Sequence, residues 1–247
     1  WLTAGFILEE GFSLRDLDRI CASMATAATA AGVAVVSGDT KVVERGKGDG
    51  VFITTAGVGA LPDGIALGTD RIASGDAVVV SGTVGDHGVA VLSKRSGLAF
   101  ETEIRSDSAA LHGLVAAMLA AVPELHALRD PTRGGVAATL NEIAHARGVA
   151  IRLREAALPV RPAVKGACEL LGLDPLHVAN EGKLLAFCPA ARADDLVAAM
   201  RAHPLGRDAA VVGQVAAEPR GLVELATAFG GTRVVDWLAG EQLPRIC

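Results

Sequence analysis

The 247-residue chain has no basic tract, no long apolar run and no paired-cysteine motif, and each absence removes a class of function. Lysine and arginine total 23 against 28 acidic residues, a net charge of −5. Nothing in that balance would neutralise a phosphate backbone, so a nucleic acid partner is not expected. No apolar run reaches the roughly 18 to 20 residues that span a bilayer, and no signal-peptide pattern opens the sequence. No membrane association is expected, and the expected location is cytoplasmic. Cys21, Cys168, Cys188 and Cys247 lie far apart without a C-x-x-C pair, which argues for reduced thiols over a disulfide frame or zinc site. There is no internal repeat. A starting methionine is missing too: Trp1 opens the chain, so it is expected to be a fragment lacking an N-terminal portion.

Half of the composition is apolar, enough for one large domain or two modest ones. The most unusual stretch is Ser37 to Gly50, S-G-D-T-K-V-V-E-R-G-K-G-D-G. It lies between the apolar run Val33–Val36 and the β-branched run Val51–Gly57, which predicts strand, long polar loop, strand. Glycines let backbone approach a ligand, Lys41 and Lys47 offer compact charge to phosphate, and Asp39 can hold a hard cation. The Gly-Lys-Ser/Thr ending of a P-loop is absent, and an exposed hairpin loop is the plainer alternative. Upstream, Ser13 and Asp16 have capping-box spacing before Leu14, Leu17, Ile20, Cys21 and Met24. This predicts an amphipathic helix stopped at Gly32, with Cys21 on its buried stripe.

The spacing divides the chain into residues 1–62, a linker 63–75, an α/β domain 76–226 and a flexible tail 227–247. In the larger domain, strands are expected at 77–80, 149–153, 184–188, 209–215 and 222–225, with helices behind Asp130, from Pro162 and over 191–202. Three turns carry candidate chemistry. Ser81-Gly-Thr-Val-Gly-Asp-His-Gly88 places His87 at a strand-to-helix turn, either lining a site or simply solvated. Arg129-Asp-Pro-Thr-Arg-Gly-Gly135 makes Asp130 either an N-cap or part of a phosphate site, with Arg133 beside it and Gly134 and Gly135 exposing backbone N–H groups. Asn180-Glu-Gly-Lys183 sets Glu181 before a strand, where it is a structural turn residue or an acid–base group. The chain ends in L-P-R-I-C, a thiol behind Gly230, Gly231 and Gly240, suited to carrying a covalently attached group on a hinged arm. A disordered end is the alternative.

Together the Ser37–Gly50 loop, the three turns and the L-P-R-I-C ending resemble the HypE family of hydrogenase maturation proteins, carbamoyl dehydratases of the aminoimidazole-ribotide synthetase (PurM-like) fold. The resemblance spans the whole chain. It implies an α+β, PurM-like two-domain protein whose N-terminal domain is only partly present, using ATP and Mg²⁺, and a homodimer. It also implies that Cys247 receives a carbamoyl group from the carbamoyltransferase HypF. ATP-dependent dehydration then leaves a thiocyanate whose cyanide passes to the HypC–HypD iron scaffold complex. By motif match, Lys41 and Glu181 are expected beside the thiol, without an assignment of which takes the proton. Asp39, Thr40, Lys47, Asp130, Arg133 and Gly134 are expected at the cofactor, with Asp39 and Asp130 on the metal. Relatives sharing the fold include selenide and thiamine-phosphate kinases, so a small-molecule kinase is one alternative and a non-catalytic thiol carrier another.

Overall fold

The computed structural model describes residues 1–97 and 103–237, and Cys247 lies outside them. Two compact units result, Trp1–Ile65 and Ala66–Cys247.

In the first unit, β1 (Leu2–Glu9) leads into α1 (Leu14–Ala30), β2 (Val35–Val43) and β3 (Val51–Gly57). The sheet order is β2-β1-β3, with β1 parallel to β2 and antiparallel to β3. The Ser13 hydroxyl accepts the Asp16 N–H as the capping spacing predicts, and Gly32 closes the helix at φ +66°. Two expectations fail. Cys21 is exposed, because the half-buried stripe of α1 runs through Leu17, Ile20, Met24 and Ala28 and leaves Cys21 on its flank. The long polar loop is mostly strand: β2 extends to Val43, and only residues 44–50 turn. Pairing with β1 sets this length, which the polarity of residues 37–41 in β2 concealed. Gly38 is required there, since a Cβ would meet the Ala4 carbonyl oxygen at 2.2 Å.

The second unit is built on a seven-stranded sheet. Its strands are β4 (Asp76–Val80), β5 (Ala127–Arg129), β6 (Ala150–Arg154), β7 (Leu185–Pro189), β8 (Ala210–Ala216), β9 (Val223–Ala226) and β10 (Thr232–Val234). The order is β10-β9-β6-β8-β4-β7-β5, and only β6 with β9 is parallel. Helices α3 (His112–Ala121), α4 (Gly135–Arg147) and α6 (Ala193–Ala202) cover it, while α2 (Asp86–Arg95) and α5 (Pro162–Leu171) pack on each other. Period-two alternation divides the central strands between two cores. Val78, Val80, Leu185 and Phe187 join Val136, Leu140 and Ile143 of α4. Ala77, Val79, Ala186 and Cys188 join Leu114 and Met118 of α3 and Leu196 and Met200 of α6. Covered on both faces, β7 and the part of β4 after Asp76 are apolar, which is why the sequence shows them as short unbroken runs.

Both ends of this unit reach into stretches expected to be loose. Ile72, within the expected linker, is 1% exposed in the core. In the expected tail, β10 pairs with β9 and Val235 is fully buried, its N–H donating to Val223 and its carbonyl accepting from Asn141 Nδ2 at 2.9 Å. Residues 232–235 therefore belong to the sheet and its core rather than to a loose tail beginning at residue 227. Among the described residues no helix is long and apolar enough to cross a membrane.

Candidate active site

One buried side chain joins the three turns singled out in the larger domain. Asn180 is fully buried; its Oδ1 accepts the Gly85 N–H at 2.8 Å, and its Nδ2 donates to the carbonyls of Pro131 (3.0 Å) and Val178 (3.1 Å). Its own N–H also donates to Pro131. The motifs G-D-H-G, R-D-P-T-R-G-G and A-N-E-G-K are thus fastened around one amide with three of its four hydrogen-bonding positions filled. The sequence placed Asn180 in a motif but gave it no task; an amide between two apolar residues and a turn was the available signal.

Glu181 follows directly. Asp107 Oδ1 accepts the Glu181 N–H at 2.9 Å and the Gly182 N–H at 3.3 Å, while Asp107 Oδ2 lies 3.2 Å from Lys183 Nζ. Glu181 Oε1 is buried without a hydrogen-bond partner. Gly182 has no room for a side chain, because a Cβ would stand 1.7 Å from the Asp107 carbonyl oxygen. A polar pocket of about 500 Å³ opens beside this loop, lined by Thr83, Asp86, Asp107, Arg161, Lys183 and Arg207 among others. Asp86, 1% exposed, accepts the Thr83 hydroxyl on Oδ2, and its Oδ1 faces Arg161 Nε at 3.6 Å. His87 is not simply solvated: Nδ1 sits 2.8 Å from Ser106 Oγ and Nε2 is buried without a partner.

The R-D-P-T-R-G-G turn departs from the N-cap expectation. Gly134, not Asp130, is the N-cap of α4, with φ +74°. The Gly135 N–H is taken by the Thr132 carbonyl at 2.9 Å, and a Gly135 Cβ would meet the Leu176 oxygen at 2.5 Å. Gly135 serves close packing of helix against loop and does not offer a free amide to phosphate. Arg133 is exposed.

In the first unit, Asp39, Thr40 and Lys41 lie on β2 rather than on a loop, and all three are exposed. Alternation puts Asp39 and Lys41 on one face and Thr40 on the other. Asp39 Oδ1 accepts the Thr40 N–H at 2.8 Å. Lys47 is in the remaining loop, which Glu9 fastens by accepting the Gly46 N–H at 2.6 Å and the Gly50 N–H at 3.1 Å. Those two amides, with the Arg45 charge, hold the Glu9 carboxyl below its ordinary range. Asp39 and Lys41 fit a hard cation and a phosphate oxygen as single contributors. No group of three or more His, Cys, Asp or Glu able to hold a metal occurs among the described residues.

The thiols separate by environment. Burial pushes Cys168 and Cys188 each up to about 11, whereas Cys21 is exposed.

The AIR synthase related protein N-terminal domain family matches residues 1–61, and the corresponding C-terminal domain family matches residues 73–225. The chain is 65% identical over 247 residues to "Carbamoyl dehydratase HypE" of Azotobacter vinelandii, covering all of this chain and 72% of that protein. A crystal structure of the hydrogenase maturation protein HypE in complex with ATP superposes with a TM-score of 0.94 at 48% identity, over 100% of this chain and 75% of that one. A crystal structure of a HypE–HypF complex gives 0.92 at 46% identity, over 96% and 77%.

Proposed function

The chain belongs to the HypE carbamoyl dehydratase family of AIR synthase related proteins, and from that premise we propose that it dehydrates a carbamoyl group carried on the Cys247 thiol to a thiocyanate, supplying cyanide for [NiFe]-hydrogenase iron. One observation carries the site reading: Glu181 presents a buried carboxylate oxygen with no structural partner, on a loop whose backbone is held on both sides. A carboxylate left unbonded inside a fold is costly unless something else uses it.

The reaction converts S–C(=O)–NH₂ to S–C≡N. The carbamoyl oxygen leaves on phosphate, and the nitrogen loses both protons. ATP, when bound, supplies the phosphoryl group that makes the oxygen a leaving group. The residues contribute proton transfer and charge: Glu181 or Lys41 accepts an N–H proton, and Lys41 and Lys47 balance negative charge. Asp39, Thr40, Asp130, Arg133 and Gly134 complete the proposed cofactor set, with Mg²⁺ at Asp39 and Asp130. HypF is the proposed carbamoyl donor, supported by the HypE–HypF complex, and HypC–HypD the proposed acceptor. Exposed apolar side chains on the first unit, among them the paired Ile7 and Phe52 on one face of its sheet, support a homodimer.

The test follows the thiol by intact mass. Cys247→Ala should abolish carbamoyl loading, while Cys21→Ala, Cys168→Ala and Cys188→Ala retain it. ATP addition to loaded protein should remove one water, about 18 Da by the stoichiometry above. Loading on another cysteine, or no mass loss with ATP, would sink the proposal.

A further inference from the structure

We infer that Asp107 is the positioning residue for Glu181, with Lys183 as its counter-charge; the inference rests on the reading of Glu181 given above. Asp107 is contributed by a segment about 74 residues earlier in the chain, and its side chain is only 4% exposed. A single oxygen, Oδ1, receives two successive backbone N–H groups, those of Glu181 and Gly182. Successive amides converging on one anion form a nest, and an ionised acceptor makes both bonds stronger than neutral ones. The second oxygen faces Lys183, itself 11% exposed, so the buried charge is balanced by the residue that ends the same motif.

The contact fixes backbone rather than side chain. Gly182 touches the 107–109 backbone closely enough that a Cβ would lie 1.7 Å from the Asp107 oxygen and 2.8 Å from the Ala109 nitrogen. On its other side, Asn180 ties the loop to Gly85 and Pro131. Glu181 is therefore held between two buried anchors, and its carboxylate, unbonded at Oε1, takes its direction from them. Removing Asp107 leaves two amides without their acceptor and the Lys183 ammonium without its counter-charge, and frees the loop to turn Glu181 away. A misplacement of about 1 Å at a reacting group costs on the order of 10²-fold in rate.

The experiment uses the full-length protein with Asp107→Ala, Asp107→Asn, Glu181→Gln and the double variant Asp107→Ala/Glu181→Gln. Carbamoyl loading is read by intact mass, and single-turnover dehydration by loss of water on adding ATP. Amide hydrogen exchange of residues 179–184 reports the anchor independently of the reaction. Asp107→Ala should load normally, dehydrate about 10²-fold slower and exchange faster at residues 181 and 182. Asp107→Asn, which keeps a neutral acceptor, should recover part of the rate. The double variant should be no slower than Glu181→Gln, because both changes disable one unit. Wild-type dehydration by Asp107→Ala, multiplied losses in the double variant, or parallel loss of loading and dehydration in Asp107→Asn would overturn the positioning role. Should Asp107→Ala fail to fold, the Asp107→Asn rate and exchange decide. Normal dehydration by Glu181→Gln instead overturns the Glu181 reading itself.

Discussion

Glu9 and Asp107 make the same contact in the two units: each carboxylate accepts two backbone N–H groups of a glycine-bearing loop. Their surroundings differ. The Glu9 bonds close an exposed loop on a small sheet, in a unit whose only buried apolar side chain among the described residues is Ala4. The Asp107 bonds are buried, backed by Lys183, in a unit with a continuous core on both faces of its sheet. Water competes for the first set and not for the second, so the same bonds define the second loop more sharply. The candidate groups follow this division: Asp39, Lys41 and Lys47 are presented in the open, whereas Glu181 is held inside.

The largest expected effect tests whether proton transfer belongs to one unit or both. In full-length protein, Lys41→Ala and Glu181→Gln should each leave Cys247 able to accept the carbamoyl group while slowing its dehydration by about 10² to 10⁴. Single-turnover mass measurements on loaded protein give both rates. If only one variant is slow, the other unit has no part in proton transfer, and near-normal rates in both would remove the pair from the mechanism.

A smaller effect concerns the contrast in packing. Phe187 is completely buried in β7, and Phe187→Ala should cost about 3–5 kcal/mol. Phe52, half exposed on β3, should cost about 0.5 kcal/mol when truncated. Limited proteolysis of this chain should cut within residues 1–65 first and leave a core beginning near Ala66. Urea midpoints for the two variants test the pair. Comparable losses would mean that the first unit is buried in solution, by self-association or otherwise.

This contrast also explains what the sequence could reveal. In the larger unit, the helix from Pro162 to the Gly172 cap, the helix behind Asp130 that stops at Gly148, and the runs expected at 77–80 and 184–188, found as strands at 76–80 and 185–189, were visible because core packing imposes period and punctuation. The length of β2 was not visible, because its exposed residues carry loop chemistry and only pairing with β1 makes them a strand. The motifs around Asp130 and Glu181 could be picked out as residue types, but their joining through Asn180 is a contact between positions 49 to 95 residues apart. Asp107 carried no local signal at all. Its partners are the amides of a distant turn, and backbone amides leave no mark in side-chain sequence.

The smallest effect separates the two anchors by pH. Glu9 is held below its ordinary value of 4.5, first by the Gly46 amide, then by the Gly50 amide, with Arg45 adding to both and desolvation opposing them. The folded value is the lower one, so the charged carboxylate favours the closed loop at all pH above the unfolded value. That contribution is lost as pH falls from 4.5 through the lowered folded value. The amide resonances of Gly46 and Gly50 should therefore titrate with a midpoint below 4.5, and Glu9→Gln should remove the titration while keeping an acceptor for one amide. Added salt should raise the midpoint only slightly, since the two amides outrank the Arg45 charge as causes. A midpoint at or above 4.5 would mean that the loop is open in solution and that Glu9, unlike Asp107, anchors nothing.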